Sequence, residues 1–161
     1  MRKKIFINLK ILRHTDVKKN YFNWLNDKKN TKYLDVKSCK SLDLLKKYVI
    51  NIYHSKDEFL FGIYNNKKHV GNIKAKINFK KNFAVIGYLI DKKFINQGIA
   101  TEAIRKIILF IKKKKINNIL ATLNKKNIPS SKVLLKNNFL KTNKLFNLKK
   151  RKGYDYYLFE C

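Results

Sequence analysis

The feature that most constrains the fold is a junction between two apolar segments. Phe83 to Ile90 is almost wholly apolar. A short loop later, Gly98 to Lys114 places Ile99, Ala100, Ala103, Ile104, Ile107, Ile108 and Ile111 at helical spacing. The first segment reads as a central strand buried on both faces, the second as an amphipathic helix. Between them runs Asn96-Gln97-Gly98-Ile99-Ala100-Thr101-Glu102. At such a turn the first helical N–H groups lack intrahelical partners, and a glycine lets a ligand come close, so a diphosphate would fit. Alone, a Gly-x-Ala pattern is weak, because a glycine there is commonly plain turn chemistry.

Neighbouring segments fill in an α/β pattern. Ile5 to Leu12 reads as a first strand. Asp16 is a candidate N-cap for a helix carrying Val17, Tyr21, Trp24 and Leu25, and Ser41 to Tyr53 is a second helix. Phe59–Tyr64 and His69–Phe79 form a hairpin about Asn65-Asn66-Lys67. Ile116–Leu123 follows the Gly98 helix as a strand, Pro129 opens a short helix ending near Lys136, and Phe139–Leu148 with Tyr154–Phe159 closes the chain as a hairpin. The expected fold is a single α/β domain over residues 1–161. Its mixed, mostly antiparallel sheet of about seven strands has helices on both faces and is splayed between 83–91 and 116–123.

Composition narrows the class. The net charge is +29, yet the 39 basic residues are 35 Lys and only four Arg, alongside 20 Asn. Lys, Asn and Ile come from AT-rich codons, and base readers favour the bidentate Arg fork, so codon bias accounts for the charge better than nucleic-acid binding does. The surface still attracts anions such as nucleotides, CoA and phosphorylated sugars. The run Lys112–Lys115 reads as a solvated helix end that complements the dipole. The longest apolar run, Ile107–Ile111, is too short to span a bilayer, and no signal-peptide core is seen, so a soluble cytoplasmic domain is expected. Cys39 and Cys161 supply neither a disulfide framework nor a metal spacing, and no metal is expected.

A second motif joins the junction. Asn127-Ile128-Pro129-Ser130 is followed by Val133 to Phe139, with Lys136 three residues before Phe139. Together the two segments resemble the GNAT superfamily of acyl-CoA-dependent N-acetyltransferases, which has a Gln/Arg-x-x-Gly-x-Gly/Ala loop and an Asn-x-x-Ser/Ala…Lys-x-Gly-Phe segment. The element order agrees over nearly the whole chain. Trp24-Leu25-Asn26-Asp27 resembles the branch containing ribosomal-protein N-terminal and amino-sugar acetyltransferases.

The resemblance implies acetyl-CoA as co-substrate. The backbone of Gln97, Gly98, Ile99, Ala100 and Thr101 would meet the CoA pyrophosphate. That of Tyr88, Leu89 and Ile90, on a strand that a bulge splays, would pair with the pantetheine arm, one N–H polarising the thioester carbonyl. Asn127 would hold the pantetheine from the opposite wall, Ser130 would lie near the sulfur, and Lys136 completes the cofactor set. Tyr33 and Asp35 would line the acceptor pocket, with Ser130 and Asp35 as the catalytic candidates.

Four departures stand out. Ile95 occupies the Gln/Arg position, Asn138 the glycine before Phe139, Leu134 the position of a frequent Tyr acid, and Val85 that of a frequent Glu. The bases left to consider are Asp35, Asp91, Glu102, His14, His54, His69 and a water chain. Glu102 reads first as a surface or capping residue, and His69, at a hairpin, as exposed.

The leading expectation is transfer of acetyl directly to the primary amine of a small acceptor, a nucleotide-linked amino sugar for surface glycan biosynthesis. The alternatives are protein N-terminal acetylation, as on a ribosomal protein, and a non-enzymatic basic RNA-binding module. Members of the family often dimerise through edge strands, and a homodimer stays open beside a monomer. No membrane partner is expected.

Overall fold

The computed structural model describes residues 5–34 and 38–161. A seven-stranded sheet runs in the order β1-β2-β3-β4-β5-β7-β6. Its strands are β1 (Ile7–Ile11), β2 (Glu58–Asn65), β3 (Lys68–Asn78), β4 (Phe83–Ile90), β5 (Asn118–Asn124), β6 (Leu140–Thr142) and β7 (Tyr154–Glu160). Every pairing is antiparallel except β4 with β5. The helices are α1 (Lys19–Asn26), α2 (Lys28–Thr31), α3 (Leu42–Tyr53), α4 (Ile99–Lys113) and α5 (Ile128–Leu135). The α/β fold with helices on both faces agrees with the sequence expectation.

Alternation along the strands sorts the core into two layers. Ile73, Ala75 and Ile77 of β3 and Ala84, Ile86 and Ile90 of β4 face α4 and pack on Ile104, Ile107 and Ile111. Each of those α4 isoleucines is fully buried, a transfer contribution of about 2 kcal/mol apiece. On the opposite face Leu60 and Leu89 meet Tyr21 and Trp24 of α1 and Leu45, Val49 and Ile52 of α3.

Some local readings change. Asp16 does not cap α1. It belongs to a single 3₁₀ turn, His14–Asp16, where its carboxylate accepts from the Arg13 N–H at 2.9 Å and pairs with Lys10 at 2.8 Å. The extra turn α2 starts at Asp27, whose side chain accepts from the Lys29 N–H. Ser41 does cap α3, accepting from the Leu44 N–H at 3.2 Å. The strand expected over Phe139–Leu148 shrinks to Leu140–Thr142, because Phe146 and Asn147 take φ of +46° and +74°, which no strand accommodates.

The parallel pairing of β4 with β5 covers only Phe83–Ile86 against Asn118–Ala121, so the two strands part from Gly87 onward. The parting involves no bulge against the neighbour, since β4 keeps an unbroken register with β3 from Gly71↔Ile90 to Asn78↔Phe83. The resemblance implied a bulge there. Instead the opening starts at Gly87, where a Cβ would meet nothing within 4 Å.

Candidate active site

The parted strands open a cavity of ≈ 680 Å³. From β4 its wall takes Val85 to Leu89, from β5 Ala121 to Leu123, and from α5 Ser130 and Leu134. Beyond Ile86 the side of β4 that faced β5 has no strand partner, leaving backbone polar groups to be met by water or a ligand.

The start of α4 follows the end of β4 after a short connection, and none of Gln97 to Thr101 is among the residues lining the cavity. Gly98 is the helix N-cap with φ +78°, and no side chain caps it. The first intrahelical bond runs from the Glu102 N–H to the Gly98 carbonyl at 3.1 Å, so the N–H groups of Ile99, Ala100 and Thr101 lack helical acceptors. A Cβ on Gly98 would fall 2.8 Å from Ile5 Cδ1. The Gln97 side chain donates to the Lys93 carbonyl at 3.2 Å, so only its backbone is presented. Ile95 is exposed. Glu102 is engaged by Arg105 at 2.6 Å, in keeping with the surface reading.

On the other wall Asn127 is the N-cap of α5. Its Oδ1 accepts from the Ser130 N–H at 3.3 Å, which places Ser130 in the first helical turn, lining the cavity. Lys136 sits exposed at the opposite end of α5 and does not line the cavity. Asn138 adopts φ +63°, the left-handed turn expected of a glycine substitute, and Phe139 behind it is fully buried. Of the three β4 positions singled out in the sequence, Tyr88 and Leu89 line the cavity and Ile90 lies in the core.

The Tyr88 phenol oxygen is buried, and among the described residues no group meets hydrogen-bond geometry with it. Burial pushes its pKa up to about 12, while the nearby Ser130 hydroxyl acts in the opposite sense. Tyr88 and Ser130 thus line the same cavity without a formed hydrogen bond between their hydroxyls.

The far side of the cavity carries the side chains that sequence reasoning missed. Lys74 and Lys76 of β3 reach it, both bonded to Glu58, at 2.7 and 2.9 Å, with Lys74 also donating to the Tyr48 hydroxyl at 3.3 Å. Lys149 and Arg151 come from the loop before β7. Tyr156 fixes that loop: its hydroxyl accepts from the Arg151 N–H at 2.8 Å and donates to the Lys149 carbonyl at 3.1 Å. Tyr33 lines this side as expected, while Asp35 falls outside the described residues. The available signal was the alternation Asn72, Lys74, Lys76 within a strand otherwise buried: polar residues at period 2 mark one face as solvated or ligand-facing. No carboxylate is among the described residues lining the cavity.

His69 is not the exposed hairpin residue expected. Its ring is mostly buried against Tyr64, stacked at 4.9 Å, and Trp24 at 5.1 Å. Among the described residues no cluster of His, Cys, Asp or Glu could hold a metal ion, and no helix is long and apolar enough to cross a membrane.

Comparison with known proteins agrees with this architecture. The sequence profile of the acetyltransferase (GNAT) domain matches residues 7–140. The chain belongs to the GNAT acetyltransferase family. It is an N-acetyltransferase whose acyl donor is acetyl-CoA, and the split sheet with an uncapped, glycine-led helix start fits that donor. Among solved structures, a ribosomal L7/L12 alpha-N-protein acetyltransferase in complex with coenzyme A superposes with a TM-score of 0.80 at 17% identity, over 99% of this chain and 96% of that one. The spermidine N-acetyltransferase of Vibrio cholerae in complex with CoA and spermine gives 0.79 at 18% identity, over 94% and 92%. An aminoglycoside acetyltransferase, AAC(6')-Ib, in complex with coenzyme A gives 0.79 at 12% identity, over 96% and 95%. A search of curated protein sequences found no match.

Proposed function

We propose that this acetyltransferase acts on the primary amine of a small anionic acceptor, a nucleotide-linked amino sugar used in surface glycan synthesis, and that it works in the cytoplasm. One observation carries the reading: the cavity is bordered by Lys149 and Arg151 and by Lys74 and Lys76, which share the single carboxylate of Glu58, so the described lining carries a net positive charge. Cations at the rim of a half-dry cleft favour phosphate and oppose a polyamine or aminoglycoside by like-charge repulsion.

In this reading the N–H groups of Gly98 to Thr101 and of Gln97 take the donor's diphosphate, where the helix dipole favours negative charge. The unpartnered side of β4 at Tyr88, Leu89 and Ile90 takes the pantetheine amides, and an N–H there polarises the thioester carbonyl. Asn127 and Lys136 flank the donor, Ser130 stands at the sulfur, and Tyr33 with Asp35 borders the acceptor. The amine's electron pair attacks the acetyl carbon directly, with its proton taken by Asp35 or by water.

Purified protein with acetyl-CoA is offered UDP-glucosamine, spermidine, kanamycin and a serine-leading peptide, and thiol release is followed. The sugar nucleotide should be acetylated with the highest kcat/KM. A higher kcat/KM for the peptide would establish the N-terminal acetyltransferase alternative, and one for spermidine or kanamycin would overturn the anionic-acceptor reading.

A further inference from the structure

We propose that Tyr88 is a positioning residue for the leaving group: its phenol, buried behind Ser130, orients the Ser130 hydroxyl toward the thioester sulfur. The inference rests on the acetyl-CoA donor and not on the acceptor, so it survives a failure of the amino-sugar reading.

The argument starts from the two walls of the split. On the α5 wall, the side chains facing the cavity are Ser130 and, one turn on, Leu134. Leu134 is fully buried and apolar, so from this helix the hydroxyl of Ser130 is what can donate to a sulfur. A serine hydroxyl rotates freely and its direction is set by whatever donates to its oxygen. The facing strand supplies such a donor. Tyr88 alternates onto the α4 side of β4 with Ala84, Ile86 and Ile90. Its phenol oxygen is buried without a formed partner among the described residues, and it lines the same cavity as Ser130, whose hydroxyl acts on it. A buried phenol left unsatisfied is costly, and it persists where a second state uses the group.

In that second state the phenol donates to Ser130 Oγ and the Ser130 hydroxyl donates onward to sulfur. The amine's electron pair forms the N–C bond as the C–S bond breaks with its pair on sulfur. The amine's proton leaves to base or water, and the thiolate, held by the hydroxyl chain, takes a proton from water on release. Because burial keeps the phenol protonated at neutral pH, the chain is charged with a donor before reaction begins.

The test compares binding of CoA with that of its sulfur-free analogue, desulfo-CoA, by calorimetry at pH 7 and at pH 10, between which the thiolate fraction of CoA rises steeply. The wild type should favour CoA. Tyr88→Phe, which deletes one hydroxyl, should reduce the preference about three- to tenfold. Ser130→Ala should abolish it, Ser130→Thr should restore it, and Tyr88→Phe combined with Ser130→Ala should do no more than Ser130→Ala alone. In turnover, Tyr88→Phe should lower kcat while acetyl-CoA KM moves less than about twofold. An unchanged CoA preference in folded Tyr88→Phe, or additive effects in the double variant, overturns the proposal.

Discussion

His69 Nε2 stands 2.8 Å from Oδ1 of Asn72, which lines the cavity. An amide oxygen only accepts, so Nε2 carries the proton, and Nδ1, buried and without a partner among the described residues, is the bare nitrogen of a neutral ring. Burial holds the His69 pKa below its usual value, against the opposing influence of Asn72, Gly71 and Asp16.

This has a pH consequence. The unfolded chain takes up a proton near pH 6.5, and the folded chain only at lower pH. As pH falls through that window the unfolded state binds more protons, so His69 withdraws stability on acidification. His69→Phe keeps a ring in the stack with Tyr64 and Trp24 but cannot titrate. Its Tm should be lower at pH 7.5, from the unpaired Asn72, yet decline less between pH 7 and 5. Scanning calorimetry across that range checks this, and an acid slope equal to that of the wild type would assign the decline to other groups.

The start of α4 can be probed with two substitutions. Gly98 has φ +78° and its missing Cβ would press on Ile5. Gly98→Ala should cost about 1–2 kcal/mol in denaturant unfolding, from the left-handed backbone. Gly98→Asp carries the same strain and adds a negative charge at the diphosphate seat, so it should weaken acetyl-CoA binding about tenfold beyond Gly98→Ala. Equal acetyl-CoA affinities for the two variants would move the diphosphate elsewhere.

The proposed donor half of this site was legible in the sequence because it is built locally. The uncapped helix start at Gly98, and the Asn127 cap over Ser130, are each formed within one turn of chain. The span of β4 was also read directly from its run of apolar residues, but the strand is not buried on both faces as expected: Val85 is half-buried and Gly87 exposed where they line the cavity. The acceptor half is built from residues far apart: Lys74 bonds Tyr48 across 26 positions, and Arg151 reaches the cavity from the loop that replaces most of an expected strand. In a chain with 35 lysines, nothing local distinguishes Lys149 from the solvated majority, and for Lys74 the one local signal is its alternation with Asn72 and Lys76. His69 was misread because its cover is shared: Tyr64, its partner across the hairpin, stacks on one side, and Trp24, 45 residues away in sequence, meets it edge-on.

Direct transfer needs no thiol on the protein. Cys39 donates its thiol to the Ser41 carbonyl at 3.2 Å, and Cys161 to the Ile116 carbonyl at 3.4 Å; neither lines the cavity. Burial pushes the Cys161 thiol up, away from a reactive thiolate. A Cys39→Ser, Cys161→Ser double variant should keep kcat within about twofold of wild type. Mass spectrometry of enzyme quenched during turnover should show no acetylated cysteine, and a trapped acetyl-cysteine would replace direct attack with a two-step route.

Tyr156 links stability to the acceptor face. Its hydroxyl makes two hydrogen bonds to the loop that carries Lys149 and Arg151, while its ring is buried in β7. Tyr156→Phe keeps the ring and loses both bonds, a destabilisation of about 1–2 kcal/mol. Because the loop then holds its two cations less firmly, KM for an anionic acceptor should rise several-fold while KM for acetyl-CoA, proposed to bind along β4 and α4, stays near its wild-type value. Lys149→Ala combined with Arg151→Ala removes the charges without touching the tyrosine, and should raise the same acceptor KM and flatten its dependence on salt. Denaturant melts and steady-state kinetics at two ionic strengths separate the effects. If both variants shift the two substrates' KM values in equal proportion, the 149–151 loop holds the fold and plays no part in choosing the acceptor.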